Sequence, residues 1–185
     1  MGRREIAVAA LRLLNAKPTA SMADIAAAAG VSRATLHRHF AGREELVRLL
    51  GELSIESWRE ALDNADIDTA TASGDAAQLR SALEVLCGQL VRDAYEHGFA
   101  LTEPSFETDD EMVAASEVQQ NRELAFYAAA QKAGVVRDDM SATWIAHAVF
   151  GLLVGLREAL RRGDIAVRDA ERLLRETVFG GIAVH

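Results

Sequence analysis

Residues 21–40 read SMADIAAAAGVSRATLHRHF, and their spacing decides the fold. Ser21 stands three residues ahead of Asp24, an acidic form of the capping box that satisfies the free N–H groups opening a helix. An alanine-rich run follows until Gly30, a residue that enters a left-handed turn at little cost. Ser32 then stands where a second short helix needs its cap. Two short helices joined by a tight glycine turn have the dimensions of a helix-turn-helix, whose second helix enters the major groove of DNA.

On that second helix Leu36 and Phe40 share one face and are expected to anchor to Ile6, Leu13 and Ile25. Ala34, His37 and Arg38 take the opposite face, with Thr35 beside them, and the small Ala34 permits close approach. Arg33 and Thr35 occupy the first turn, the part that reaches base edges; arginine pairs bidentately with guanine, and threonine bonds an edge or touches a thymine methyl. His37, His39 and Arg43 suit phosphates, which position without specifying. Ser21 and Ser32 complete the expected DNA-facing set. The alternative is an ordinary solvated helix face, and the charge of the neighbourhood argues against it. Net charge is −8 overall, yet residues 1–50 hold eight Lys/Arg against four Asp/Glu, while residues 51–185 hold twelve against twenty-four. A basic head on an acidic body suits a protein that meets a polyanion at one end.

Working outward, helical periodicity predicts a first helix over residues 3–15 and a long fourth helix from Arg43 to about Asn64. Residues 63–75, DNADIDTATASGD, are the expected loop. Further helices follow up to Gly98, from Asp110 to Gly134, from about Asp139 to Arg162, and over RDAERLLRETVFGG. Residues 99–109 look irregular, with room for one short helix. No stretch alternates with period two. The expected class is therefore all-α with about nine helices, a head over residues 1–46 and a body over 47–185.

Several function classes recede on composition. The single cysteine, Cys87, gives no disulfide framework or multi-cysteine zinc site and reads as a small buried hydrophobe suited to a reducing cytoplasm. Arg12 interrupts the apolar N-terminal stretch, which argues against a signal peptide. The most apolar run, ATWIAHAVFGLLVGL, is fifteen residues long and contains His147; it is expected to be a buried helix in a soluble protein, not a membrane span. Carboxylates in ETDDEM are assigned to capping and solvation, and no metal or cofactor is expected. Phosphate-loop, zinc-protease and nucleophile-elbow motifs are absent, so an enzyme or a plain helical ligand-binding protein is the weaker alternative.

TLHRHF followed by GREEL, after DIAAAAGVS, strongly resembles the TetR (tetracycline-repressor) family of bacterial transcription regulators. Their recognition segment typically reads Thr-Leu-Tyr-x-His-Phe and then Lys-Glu-x-Leu. Thr35, Leu36, His39, Phe40, Glu44 or Glu45, and Leu46 fit that pattern. His37 replaces the usual tyrosine and Arg43 the usual lysine; both can still bond phosphate, and a histidine can titrate near neutral pH. The resemblance covers residues 3–50. It implies a cytoplasmic homodimer that binds a roughly palindromic double-stranded DNA operator, most simply as a repressor released by a small-molecule effector held in the body. A constitutive DNA-binding protein without an effector is the alternative, though 135 residues exceed what dimerisation needs.

For the effector pocket the candidates are Leu86, Leu90, Phe126, Trp144 and His147, with His97, Tyr127 and Phe150 as further groups of suitable type. Plain core packing accounts for the same residues. In such proteins the last two long helices pair with those of the dimer mate. Gly151, Gly155 and Ala159, spaced by four, and Leu173 are the candidate interface. Spacing alone supports close packing inside one subunit equally well.

Overall fold

The structure is a computed structural model that describes residues 1–183. Helices α1 (Arg3–Ala16), α2 (Met22–Ala28) and α3 (Arg33–His39) form the head. Helix α4 (Arg43–Asn64) leaves the head and enters a body made with α5 (Ile67–Ser73), α6 (Ala76–Glu96), α7 (Asp110–Lys132), α8 (Ala142–Arg162) and α9 (Val167–Ile182). Two 3₁₀ turns, Ala100–Thr102 and Pro104–Thr108, connect α6 to α7 where one short helix was expected. The all-α class stands, with nine α-helices among the described residues.

The stretch expected as a loop, residues 63–75, contains α5. Ile67 and Ala70 are buried on one side of it, so tertiary burial holds a segment whose Thr, Asp and Ser content favours turns. Gly74 ends it in a left-handed conformation.

Two cores result. The head core gathers Ile6, Ala10, Leu14, Ile25, Leu36 and Phe40, continues along α4 through Leu46, Leu50 and Leu53, and is closed by Phe99. Leu13 packs at its edge, half-buried. The body core runs from Leu62 through α6 to Ile182 and includes Cys87, whose thiol burial pushes up to about 12. The division after residue 46 thus falls inside α4, whose first turns belong to the head core.

Helix α8 departs from expectation. Its 21 residues are enough, by length and composition, to cross a membrane. Ile145, Val149, Leu153 and Leu156 form a buried stripe packed on α6, α7 and α9, but Trp144, His147, Phe150, Gly151 and Gly155 are exposed. The helix is therefore buried on one side only. Apolar composition alone could not reveal that sidedness.

Candidate DNA-binding head and body cavity

Local chemistry builds the head's outer surface. The Ser21 hydroxyl accepts the Asp24 N–H at 3.2 Å while Asp24 accepts the Ser21 N–H at 2.8 Å, a reciprocal box that starts α2. Gly30, at φ +65°, turns the chain, and the Val31 N–H reaches back to the Ala26 carbonyl at 3.0 Å. The Ser32 hydroxyl accepts the Thr35 N–H at 3.0 Å, starting α3. Leu36 and Phe40 are buried beneath it.

Ser32, Arg33, Ala34, His37 and Arg38 lie exposed, with Thr35 and His39 half-buried at the margin. Among the described residues no acid pairs with Arg33 or Arg38. Three other head cations are engaged: Arg3 pairs with Glu45 at 2.7 Å and lies 5.1 Å from the centroid of the Phe40 ring, Arg4 pairs with Glu56 at 2.9 Å, and Lys17 faces Asp24 at 3.4 Å. Arg43, expected to meet phosphate, is engaged within the head. Its guanidinium donates to the carbonyls of Ala20 and, at 2.9 Å, Pro18, so it fastens the α1–α2 turn to the start of α4. Ser21 likewise has its hydroxyl committed to Asp24.

Within the body a cavity of about 620 Å³ opens between α4, α6, α7, α8 and the 3₁₀ turns. Trp58, Leu90, Phe106, Met112, Val149 and Phe150 supply apolar walls. Gly51 permits the wall to close on α4, because a Cβ there would meet the Phe106 ring at 2.8 Å. Of the sequence candidates, Leu90 and His147 line this cavity. Leu86 and Phe126 are fully buried in the core and outside its lining, and Trp144 is 59% exposed on the outer face of α8. Of the two α8 candidates, His147 lines the cavity and Trp144 does not. Phe150 and His97 line it, while Tyr127 lies buried behind it.

Its polar groups are unusual. Glu123 is only 8% exposed, and the Tyr127 hydroxyl donates to it at 3.4 Å. Burial pushes its carboxyl up to about 7, opposed by hydrogen bonding from Tyr127 and Trp58. Asp93 accepts from the Ser57 hydroxyl at 2.6 Å, and burial raises it to about 6. Ser54 gives its proton to the Leu50 carbonyl, so His97 Nδ1, 3.3 Å away, is assigned as a donor to Ser54. Burial holds His97 below its ordinary range, favouring the neutral ring. A second, wider cleft of about 800 Å³ separates head from body and carries mixed charge from Arg12, Glu60, Arg157 and Arg161.

Sequence reasoning missed Glu123, Trp58, Phe106 and Gly51. The usable signal was on α7, where Gln119, Glu123, Phe126, Tyr127 and Ala130 share the buried stripe, so an acid stands at a core position.

On the candidate interface, nothing lies within 4 Å of a Cβ placed on Gly151 or Gly155, which removes close packing inside one subunit as the reason for those glycines. Ala159 and Leu173 are half-buried.

A capped helix-turn-helix with an open basic face, set on a helical body with its own cavity, defines a ligand-responsive class of DNA-binding protein. The family model described as "Bacterial regulatory proteins, tetR family" matches residues 6–50. The HTH-type transcriptional repressor LfrR of Mycolicibacterium smegmatis is 31% identical over 163 residues, covering 87% of this chain and 80% of the relative. The HTH-type transcriptional regulator NfxB of Pseudomonas aeruginosa is 26% identical over 89% of this chain and 86% of its own. The crystal structure of LfrR from Mycobacterium smegmatis in complex with proflavine superposes with a TM-score of 0.74 at 25% identity, over 99% of this chain and 97% of the other. The chain belongs to the TetR family. It is a DNA-binding transcriptional regulator and not an enzyme; regulators of this family bind DNA operators and small-molecule effectors and act as dimers.

Proposed function

We propose that the chain works in the bacterial cytoplasm as a homodimeric repressor, residues 1–46 holding DNA and residues 47–185 holding the effector and the dimer mate. The observation that carries this reading is the exposed face of α3, where Arg33 and Arg38 stand unpaired while Arg3 and Arg4 are paired with acids. Arg33 and Thr35 read base edges, and Arg38, His37 and His39 meet phosphates, with Ala34 and Ser32 allowing close approach. The repressor sign follows that of LfrR, and the proflavine complex of that protein supports an effector within the body.

Gly151, Gly155, Ala159 and Leu173 face the dimer mate in this reading. The uncovered glycine strip of α8 supports it, since two such strips permit close helix approach. A two-fold dimer then presents two recognition helices about 34–36 Å apart.

Helix α4 couples the two functions. Arg43 grips the α1–α2 turn at one end, and Gly51, Ser54, Ile55 and Trp58 line the body cavity further along. An effector that fits one arrangement of α4 shifts the population toward it, by no more than its differential affinity for the two arrangements.

Fluorescence anisotropy on a random-sequence duplex at low salt tests the head assignment. The double variant Arg33→Ala/Arg38→Ala should lose at least about tenfold in affinity, and Arg3→Ala/Arg4→Ala should lose less. The reverse order would remove α3 as the DNA-facing element.

A further inference from the structure

The inference concerns the chemical class of the effector, and it rests on reading the body cavity as the effector site. Its lining contains the carboxylates Asp93, Glu103, Glu107, Glu117 and Glu123 and no lysine or arginine. Glu107 and Glu117 stand exposed at its mouth, whereas Asp93 and Glu123 are set back where solvent screens them less. Glu123 makes the point most sharply. It is more than nine-tenths buried, it reaches the cavity, and only the neutral Tyr127 and Trp58 donate to it. The adjacent cation, Arg122, is turned away to Asp63 at 2.6 Å and Asp68 at 2.7 Å.

A buried carboxylate without a counter-charge is costly, and a cofactor or ligand cation relieves that cost. Trp58, Phe106 and Phe150 add aromatic surface around the same recess, which attracts a cation placed over a ring face and also favours apolar bulk. A cavity of about 620 Å³ suits an organic molecule of drug size, too large for a bare metal ion.

We propose that the effector is an organic monocation with aromatic or branched apolar bulk, its charge seated against Glu123 and its bulk against Trp58 and Phe106. Burial already pushes Glu123 up to about 7, so an arriving cation favours the ionised form and releases a proton where the carboxyl was neutral.

The test is isothermal titration calorimetry of the full chain at pH 8 with tetraphenylphosphonium and tetraphenylborate, ions of nearly equal size and apolar surface but opposite charge, and with neutral triphenylphosphine oxide. The phosphonium should bind at least about tenfold more tightly than the borate. Glu123→Gln, an isosteric change, should reduce that preference about tenfold without weakening the borate. Equal binding of the two ions, or a preference for the borate, overturns the proposal without any variant. A phosphonium preference that survives Glu123→Gln also overturns it, because the charge would then be read at Asp93 or at the acidic surface. In those cases binding of the neutral compound leaves the cavity as the effector site. Binding by none of the three would overturn that reading together with the proposal.

Discussion

The Asn15 carboxamide Oδ1 accepts the backbone N–H of Phe99 at 2.7 Å, and its Nδ2 donates to the carbonyls of Glu96 at 2.6 Å and Tyr95 at 3.1 Å. One side chain thus joins the end of α1 to the end of α6, and Phe99 itself completes the head core. Because α6 also contributes Leu90 and Asp93 to the cavity wall, the head is held to the cavity by this clasp as well as by α4. Asn15→Ala leaves the half-buried Phe99 N–H without its partner and should cost about 1–3 kcal/mol. Thermal unfolding measures it; an unchanged midpoint would show that the clasp carries no weight.

Arg43 and Arg38 separate structure from DNA contact. Arg43→Ala removes the donors to the Pro18 and Ala20 carbonyls and should destabilise the protein by about 1–3 kcal/mol. Its effect on the salt dependence of DNA binding should be small. Arg38→Ala should do the opposite, leaving stability within about 0.5 kcal/mol and reducing the salt slope by about one. Urea unfolding and binding titrations over a range of salt check the pair.

Those two arginines also show what the sequence could and could not convey. The caps at Ser21 and Ser32, the turn at Gly30 and the stripe of Leu36 and Phe40 depend on residues a few positions apart, so local pattern located them. Arg43 bonds carbonyls 23 and 25 residues back, and nothing local distinguishes that arginine from one aimed at phosphate. Trp144 and Phe126 have the composition of pocket residues, but which side of α8 or α7 faces the cavity depends on how α4, α6 and the 3₁₀ turns enclose it. Segment α5 escaped for the same reason, since burial of Ile67 and Ala70 outweighs its weak helix preference.

Gly51 should resist substitution. A Cβ there meets Phe106 at 2.8 Å and Met112 Sδ at 3.0 Å, so Gly51→Ala must displace the aromatic wall of the cavity. The expected cost is about 1–3 kcal/mol, the range for overpacking. Gly151→Ala, which meets open space on α8, should not destabilise the subunit. Denaturation midpoints of the two variants give the comparison.

Glu123 predicts a pH dependence. Its carboxyl is raised from 4.5 to about 7 in the folded protein, so the folded state holds a proton that the unfolded state gives up between those values. Stability is therefore fully present below about pH 4.5 on this account, falls as pH rises toward 7, and levels off above it; the loss is on the order of 2–3 kcal/mol. Asp93, raised to about 6, adds a smaller fall between about pH 4 and 6. Glu123→Gln should flatten the fall between pH 5 and 7 and raise the melting temperature at pH 8. Thermal melts at pH 5, 6, 7 and 8 for wild type and variant decide it.

The most direct measurement is selection of bound sequences from a random pool of duplex DNA by wild type, Thr35→Ala and Arg38→Ala. Wild type should enrich a palindrome whose half-sites are separated by one or more helical turns, with base preference altered by Thr35→Ala and overall affinity lowered by Arg38→Ala. No enrichment at low salt, or the same enriched sequence at the same affinity with both variants, would contradict the assignment of α3 as the element that reads DNA.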